Sequence, residues 1–159
     1  MKSTFILGAL LGLALWIGAH SPAQTQTTSR QNIPGMTVGG AIGRVEHGER
    51  EGGRMAVTVI FTAERRDYPG EILYEDLDPR DLARMIYLKI GDRDYPVWFE
   101  GGEPQIPSSL TLMPHDGVAE VAEVGRWHGE FVAPTPEMRE IGLYLPNTGL
   151  IGPFPIHER

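Results

Sequence analysis

A small all-β fold is what this sequence predicts, and three observations predict it. From Met36 onward, short apolar runs recur at intervals of about 8 to 15 residues, separated by turn residues. Several of these runs alternate apolar and polar side chains with the period of two that places one row inward on a strand. The run of such segments is of one-domain length and contains no internal repeat.

Taken in order, residues 38–45 form a first strand diluted by glycine, with Gly39-Gly40-Ala41-Ile42-Gly43 read as a bend or bulge. The clearest strand is 55–63, where Met55, Val57, Val59, Phe61 and Ala63 share one face and Ala56, Thr58 and Thr62 take the other. Residues 74–83 (YEDLDPRDLA) break the pattern. Asp78 suits an N-cap, Pro79 the first helical position and Asp81 the positive end of a helix, so a short helical crossover between two sheets is expected. Residues 85–90 (MIYLKI) return to strand with Ile86, Leu88 and Ile90 inward. Gly91-Asp92-Arg93 then turns the chain into a returning strand at 94–99, whose Pro96 argues for an edge or a bulge. Strands follow at 108–113, 117–124, 127–133, 140–145 and 151–156. In the third of these Trp127, Phe131 and Ala133 oppose His128 and Glu130; in the fourth Ile141, Leu143 and Leu145 point inward. Seven to nine such strands close into two packed sheets, so the architecture expected is a β-sandwich.

Ahead of that domain, Lys2 and the uncharged apolar run 5–17 are followed by Ser21-Pro22-Ala23, the three parts of a secretory signal. Cleavage is expected after Ala23, with Ala19 the second choice. An apolar run of about 13 residues is short of the ~20 that span a bilayer, so a stable membrane anchor is not expected. Residues 1–23 are read as signal peptide, 24–35 (QTQTTSRQNIPG) as a polar flexible tether closed by Pro34-Gly35, and 36–159 as one β-sandwich domain. A periplasmic or secreted location follows.

Composition excludes several classes. The chain has no cysteine, which removes disulfides, thiol nucleophiles and thiolate metal sites, and leaves stability to the core alone. Its 21 acidic residues outnumber 14 basic ones, for a net charge of −7. No basic stripe interrupts that balance, so nucleic acid is excluded as a partner and anionic lipid is disfavoured.

The order of elements resembles a known family. A strand of the form GGRMAVTVIFTA is followed by an acidic link and a hairpin, MIYLKIGDRDYPV; a strand with FVAP and a closing pair, IGLYLP and IGPFPI, come later. This is similar to the telokin-like, immunoglobulin-like domains of secreted bacterial proteins and lipoproteins, over about residues 36–156. Two features differ: there is no lipid-accepting cysteine, and Ala63-Glu64-Arg65-Arg66 stands where that family often has asparagine. The resemblance implies an immunoglobulin-like β-sandwich and a binding or assembly module, and brings no catalytic residues with it.

The chemistry-bearing residues agree with that expectation. The serines outside the leader are Ser29, Ser108 and Ser109, and no G-x-S-x-G elbow is present. His47, His115, His128 and His157 have no metal-ligand spacing and are read as separate surface residues. Met55 and Met85 fall in strands as core filler. No catalytic residue is assigned. Two speculative sites are. Trp98 and Phe99 are adjacent in a strand, so one faces out beside a mobile loop, and with Glu100 and Glu103 they form the expected binding anchor. Glu75, Asp76, Asp78 and Asp81 offer oxygen ligands to calcium, the one cofactor considered, although EF-hand spacing is not met.

The function expected is an exported, non-catalytic binding or assembly module of the envelope or extracellular space, recognising a protein or glycan through the 91–104 hairpin and loop or the 74–81 crossover. The alternatives are a small-ligand or calcium-binding β-sandwich and a carboxylate-dependent hydrolase.

Overall fold

The long alternating run at 55–63 forms the middle of the larger of two main sheets, and its inward row is fully buried. The structure is a computed structural model, described for residues 31–159. The predicted leader and the first part of the tether, residues 24–30, lie outside the described residues. The chain runs through β1 (Gly35–Met36), β2 (Ile42–Glu51), β3 (Arg54–Ala63), β4 (Glu71–Tyr74), α1 (Pro79–Met85), β5 (Tyr87–Ile90), β6 (Arg93–Pro96), β7 (Phe99–Glu100) and β8 (Glu103–Pro104). It continues through β9 (Leu110–Leu112), β10 (Ala122–Val132), β11 (Glu140–Leu145), β12 (Gly149–Pro155) and β13 (His157–Glu158). The all-β expectation holds: the one helix among the described residues is the seven-residue α1.

One sheet has the order β1-β2-β3-β10, with β13 lying parallel beside the far end of β2; the second has the order β12-β11-β5-β6 and is antiparallel throughout. The sheets are joined along both seams. On one seam Val97 bridges Phe131, and the Trp98 N–H donates to the Glu130 carbonyl at 2.8 Å, so the chain leaving β6 continues the edge of β10. On the other, Ile33 and Gly152–Pro153 exchange backbone hydrogen bonds of 3.2 and 2.8 Å, and the Asn32 side chain donates to Val45 at 2.6 Å. The tether reading is therefore corrected at its end: residues 32–35 are fastened into this seam.

Between the sheets lies one core in which Trp127, Tyr68, Phe61, Phe131 and Phe154 are the largest fully buried side chains. Each such burial removes apolar surface from water at about 1.5–3 kcal/mol per side chain. The polar handles are satisfied in series. Trp127 Nε1–H donates to the Tyr74 hydroxyl at 2.8 Å, and that hydroxyl donates to the Pro107 carbonyl at 3.1 Å.

The helical crossover forms where the sequence places it. The Asp78 carboxylate accepts from the N–H groups of Arg80 and Asp81 at 2.8 and 2.9 Å, Pro79 opens the helix, and Asp81 lies in its first turn. Those N–H donors hold the Asp78 carboxyl below the ordinary carboxylate range. Other expectations are corrected. Met85 belongs to α1, not to the strand, which begins at Tyr87 after the C-cap Ile86. The strand expected at 127–133 and the end of the one expected at 117–124 are a single strand, β10, which begins only at Ala122. A register shift between Glu123 and Gly125 resets its alternation, which is why the sequence reads as two pieces. Strand β4 falls in the link after β3 and was absent from the sequence reading, because its four residues are too few for a visible period. His115, expected at the surface, is buried with its Nδ1 accepting from the Gly117 N–H at 2.8 Å. Its backbone N–H donates to the carbonyl of buried Tyr68 at 3.0 Å, a tertiary tie that the local turn does not reveal.

Arg50 is the charged residue most enclosed by the fold, 3% exposed. Its Nε reaches both carboxylate oxygens of Glu158 at 3.1 and 3.2 Å, and Nη2 reaches the same carboxylate. The remaining donors go to carbonyls: Nη1 to Pro134 and Thr135 at 3.2 and 2.7 Å, Nη2 to Pro136 at 3.1 Å. The guanidinium thus fastens β13 and the 134–136 loop to β2. Arg50→Met should cost about 2–3 kcal/mol in urea unfolding, because those carbonyls lose their donors. The Arg50 hydrogen bond holds the Glu158 carboxyl below its ordinary value. A carboxyl depressed in the folded state contributes stability that is complete above the unfolded value and is lost as pH falls through the folded one. Stability measured across the acid limb should therefore fall less steeply for Glu158→Gln than for the parent; equal slopes would remove Glu158 from this role.

Candidate functional site

The two sheets bury similar inner rows but present very different outer faces. Outside the larger sheet, Arg126 bonds Glu46 and lies 3.3 Å from Glu123. Arg54 lies 3.4 Å from Glu130 and 3.7 Å from Glu100, and Arg159 lies 3.8 Å from Glu49. A groove of about 390 Å³ on this face is lined by Glu49, Glu51, Arg54, Ala56, Glu130 and Arg159. Exposed ion pairs of this kind contribute little individually and leave the face solvated.

The predicted anchor sits at the margin of that charged face. Trp98 is half-buried, with the Arg54 guanidinium 5.1 Å from its ring centroid, while Phe99 is the outward-facing member of the pair at 42% exposure. Glu100 and Glu103 are exposed and pair across a short ladder, β7–β8. The mobile loop expected here is corrected: Gly101 and Gly102 both take positive φ, 62° and 91°, which is the two-residue turn of a tight hairpin. The backbone beneath is clamped, since the Gln105 N–H donates to the Trp98 carbonyl at 2.9 Å. Trp98 is thus a cover over the sheet edge, and Phe99 projects alone.

The four acids considered for calcium are not gathered. Asp78 caps α1, Asp81 lies 3.7 Å from Arg84, and Asp76 receives the Ser109 hydroxyl at 3.5 Å. Glu75 lines a different feature, described next. Among the described residues, no three His, Asp or Glu side chains are placed to hold a metal ion.

The outer face of the four-stranded sheet is aromatic. On β5, Leu88 faces in, so Tyr87 and Lys89 face out; on β11, Tyr144 is the exposed partner of Tyr87 across the ladder. The two tyrosine rings stack with centroids 5.1 Å apart and planes 6° apart. Tyr144 is exposed and Tyr87 half-buried. Lys89 Nζ lies 5.8 Å from the Tyr87 ring and donates to Asp94 at 2.9 Å, which keeps the lysine beside the ring rather than across the face.

A cleft lies at each end of this pair. The first, about 590 Å³, is walled by Leu73, Tyr74, Leu77, Met85, Tyr87, Tyr144 and Pro146, with Glu75, Arg84 and Asn147 supplying its polar groups. Helix α1 and the β4 crossover form one wall and the sheet the other. Tyr74 is rigid there because its hydroxyl is tied inward; burial pushes its pKa up to about 12, so it stays neutral. Asn147 has φ 57° and gives its amide N–H to the Leu73 carbonyl at 2.7 Å, fixing the rim. The second cleft, about 420 Å³, continues along the same face between Lys89, Glu140, Gly142, Leu150 and Pro153. Its floor depends on Gly142: a Cβ there would meet Leu150 Cδ1 at 2.8 Å. Met85, Tyr144 and Leu150 are 37–47% exposed.

The sequence reading missed this face, although the parity of MIYLKI and EIGLYL places Tyr87 and Tyr144 opposite the inward rows. It did place a candidate face at the 74–81 crossover, which is one wall of the first cleft. Compared with known proteins, the chain matches no family model, no curated protein and no solved structure. Among the described residues, no helix is long and apolar enough to cross a membrane.

A cross-strand aromatic pair on an outer face contributes about 0.2–1 kcal/mol to a sheet, whereas a buried aromatic removed from a core costs about 3–5 kcal/mol. Tyr144→Ala should therefore lower the unfolding free energy by no more than about 1 kcal/mol, and Trp127→Ala by at least three times as much, both read by urea denaturation. A loss for Tyr144→Ala comparable with that for Trp127→Ala would show the tyrosine pair to be structural.

Proposed function

We propose that the protein is an exported, non-catalytic binding module built on an immunoglobulin-like β-sandwich, and that it recognises a protein or glycan partner of the envelope or extracellular space. The observation that carries the reading is the asymmetry of the two outer faces. One is covered by compensated charges; the other holds a stacked tyrosine pair between two clefts of 590 and 420 Å³. Such clefts fall in the size range of ligand sites, about 300–1,000 Å³, and tyrosine combines an apolar body with a polar tip suited to an interface. Two mainly antiparallel sheets around one core, joined by a short helical crossover, support the sandwich reading. The binding face is moved from the Trp98 margin to the outer surface of β5, β11 and β12, with the crossover residues as one wall.

Export rests on the leader, from Lys2 through the apolar run to Ser21-Pro22-Ala23. Protein recovered from the periplasm or medium should begin at Gln24; recovery of an intact Met1 terminus in the cytoplasm would remove the export reading.

The binding reading is tested by placing a photo-crosslinking residue at Tyr144 or at His128, which lie on opposite outer faces, and irradiating the exported protein in its own envelope. Specific adducts from position 144 and none from 128 are expected. Adducts from 128 alone, or from neither, would overturn it.

A further inference from the structure

From the composition of the two clefts we infer that the partner is a neutral glycan chain lying along the outer face of the four-stranded sheet. This rests on the binding reading above and names its ligand class. The first consideration is charge. The protein carries a net −7, yet each cleft is lined by one acid and one base, Glu75 with Arg84 and Lys89 with Glu140. Arg84 and Lys89 are also paired outside the clefts, with Asp81 and Asp94, so the strip offers an acidic ligand no free cation and suits an uncharged one better.

The second consideration is shape. Tyr87 and Tyr144 line the first cleft and Gly142 and Leu150 the second, and the ladder register Tyr87↔Tyr144↔Leu150 and Lys89↔Gly142 makes them neighbours on one sheet face. They form an open, elongated strip, suited to a linear chain more than to a small molecule enclosed on all sides. The third is chemistry. A sugar ring has apolar C–H faces and a rim of hydroxyls that both donate and accept. The strip offers apolar walls from Tyr74, Met85, Leu150 and Pro153, beside the tyrosine hydroxyls and the Glu75, Arg84 and Lys89 side chains, donors and acceptors that hydroxyls can match.

The fourth consideration sets a peptide aside. An extended peptide gains its affinity by pairing its main chain with a sheet edge. Here the sheet presents its face, and β6, the outer strand on the side of β5 away from β11, carries Pro96, which lacks an N–H to offer.

The test is affinity electrophoresis of the full exported protein in gels containing barley β-glucan, galactomannan, xyloglucan or dextran, with alginate as the acidic control and decaproline titrated separately. Retardation by at least one neutral polymer is expected. It should weaken about tenfold in Tyr87→Ala/Tyr144→Ala and also in Met85→Ala, which lies outside the strands, while Phe99→Ala leaves it unchanged. Unfolding midpoints of all variants are measured, and Tyr144→Phe, which keeps the ring, should retain most of the binding. The inference is overturned by no retardation in any neutral gel, by retardation in alginate alone, by decaproline binding in its place, or by retardation that the cleft variants leave intact. If position 144 still crosslinks a protein while every neutral gel is negative, the glycan is lost and the binding face stands; if both are negative, both fall.

Discussion

Much of this domain depends on one buried guanidinium. Arg50 gives its donors to the Glu158 carboxylate and to three consecutive carbonyls, 134–136, and so ties the last strand and a long loop to β2. A charge this enclosed is tolerable only when every donor has an acceptor, and here the acceptors come from two separate stretches of chain, β13 and the 134–136 loop. Without cysteine, the chain has no covalent device for the same purpose. Arg50 acts together with the hydrogen bonds of residues 32–33 to close the β2–β12 seam, along which the described chain both enters and leaves.

Closing that seam, and joining β6 to β10 through Val97 on the other, consumes the edges of the sheets and leaves their faces to meet solvent or a partner. The two faces solve the problem differently. β2 and β10 carry Glu46, Arg126 and Glu130 outward, which with Arg54 of β3 form ion pairs across strands, beside Ala56, Thr58 and Thr62 of β3. β5, β11 and β12 carry Tyr, Tyr and Leu there instead. An outward aromatic row has no stabilising task comparable with the inner rows of Leu88, Leu143 and Ile151. It is held rigid by what lies beneath: the Trp127–Tyr74–Pro107 hydrogen-bond chain fixes one wall of the first cleft, and Asn147 fixes its rim.

How much of this could be read from the sequence follows from where the signals reside. The period-two row of Met55 to Ala63 and the Asp78-Pro79 cap are local, and both appear as expected. The bulge at Glu123–Gly125 is not local: it is set by pairing with β3, so one strand looked like two. Short strands such as β4 and β13 exist only because a distant partner supplies their ladder. The candidate site shows the same division. Trp98 and Phe99 attract notice as neighbouring aromatics, but Arg54, from another strand, covers Trp98. Tyr87 and Tyr144 are 57 residues apart and become a pair only through the β5–β11 register. Each is outward by its own parity; that they stack is a tertiary fact. The acids at 75–81 were visible as a cluster, yet capping and ion pairing disperse them.

The central claim, that the aromatic outer face and not the charged one meets the partner, is tested most directly by hydroxyl-radical footprinting of the purified protein with and without an extract of its source cells. Oxidation of Met85, Tyr87, Tyr144 and Leu150 should fall together in the extract, while His128 and Phe99 stay as reactive as in buffer. Protection of His128 or Phe99 with the tyrosine face unchanged would contradict the account.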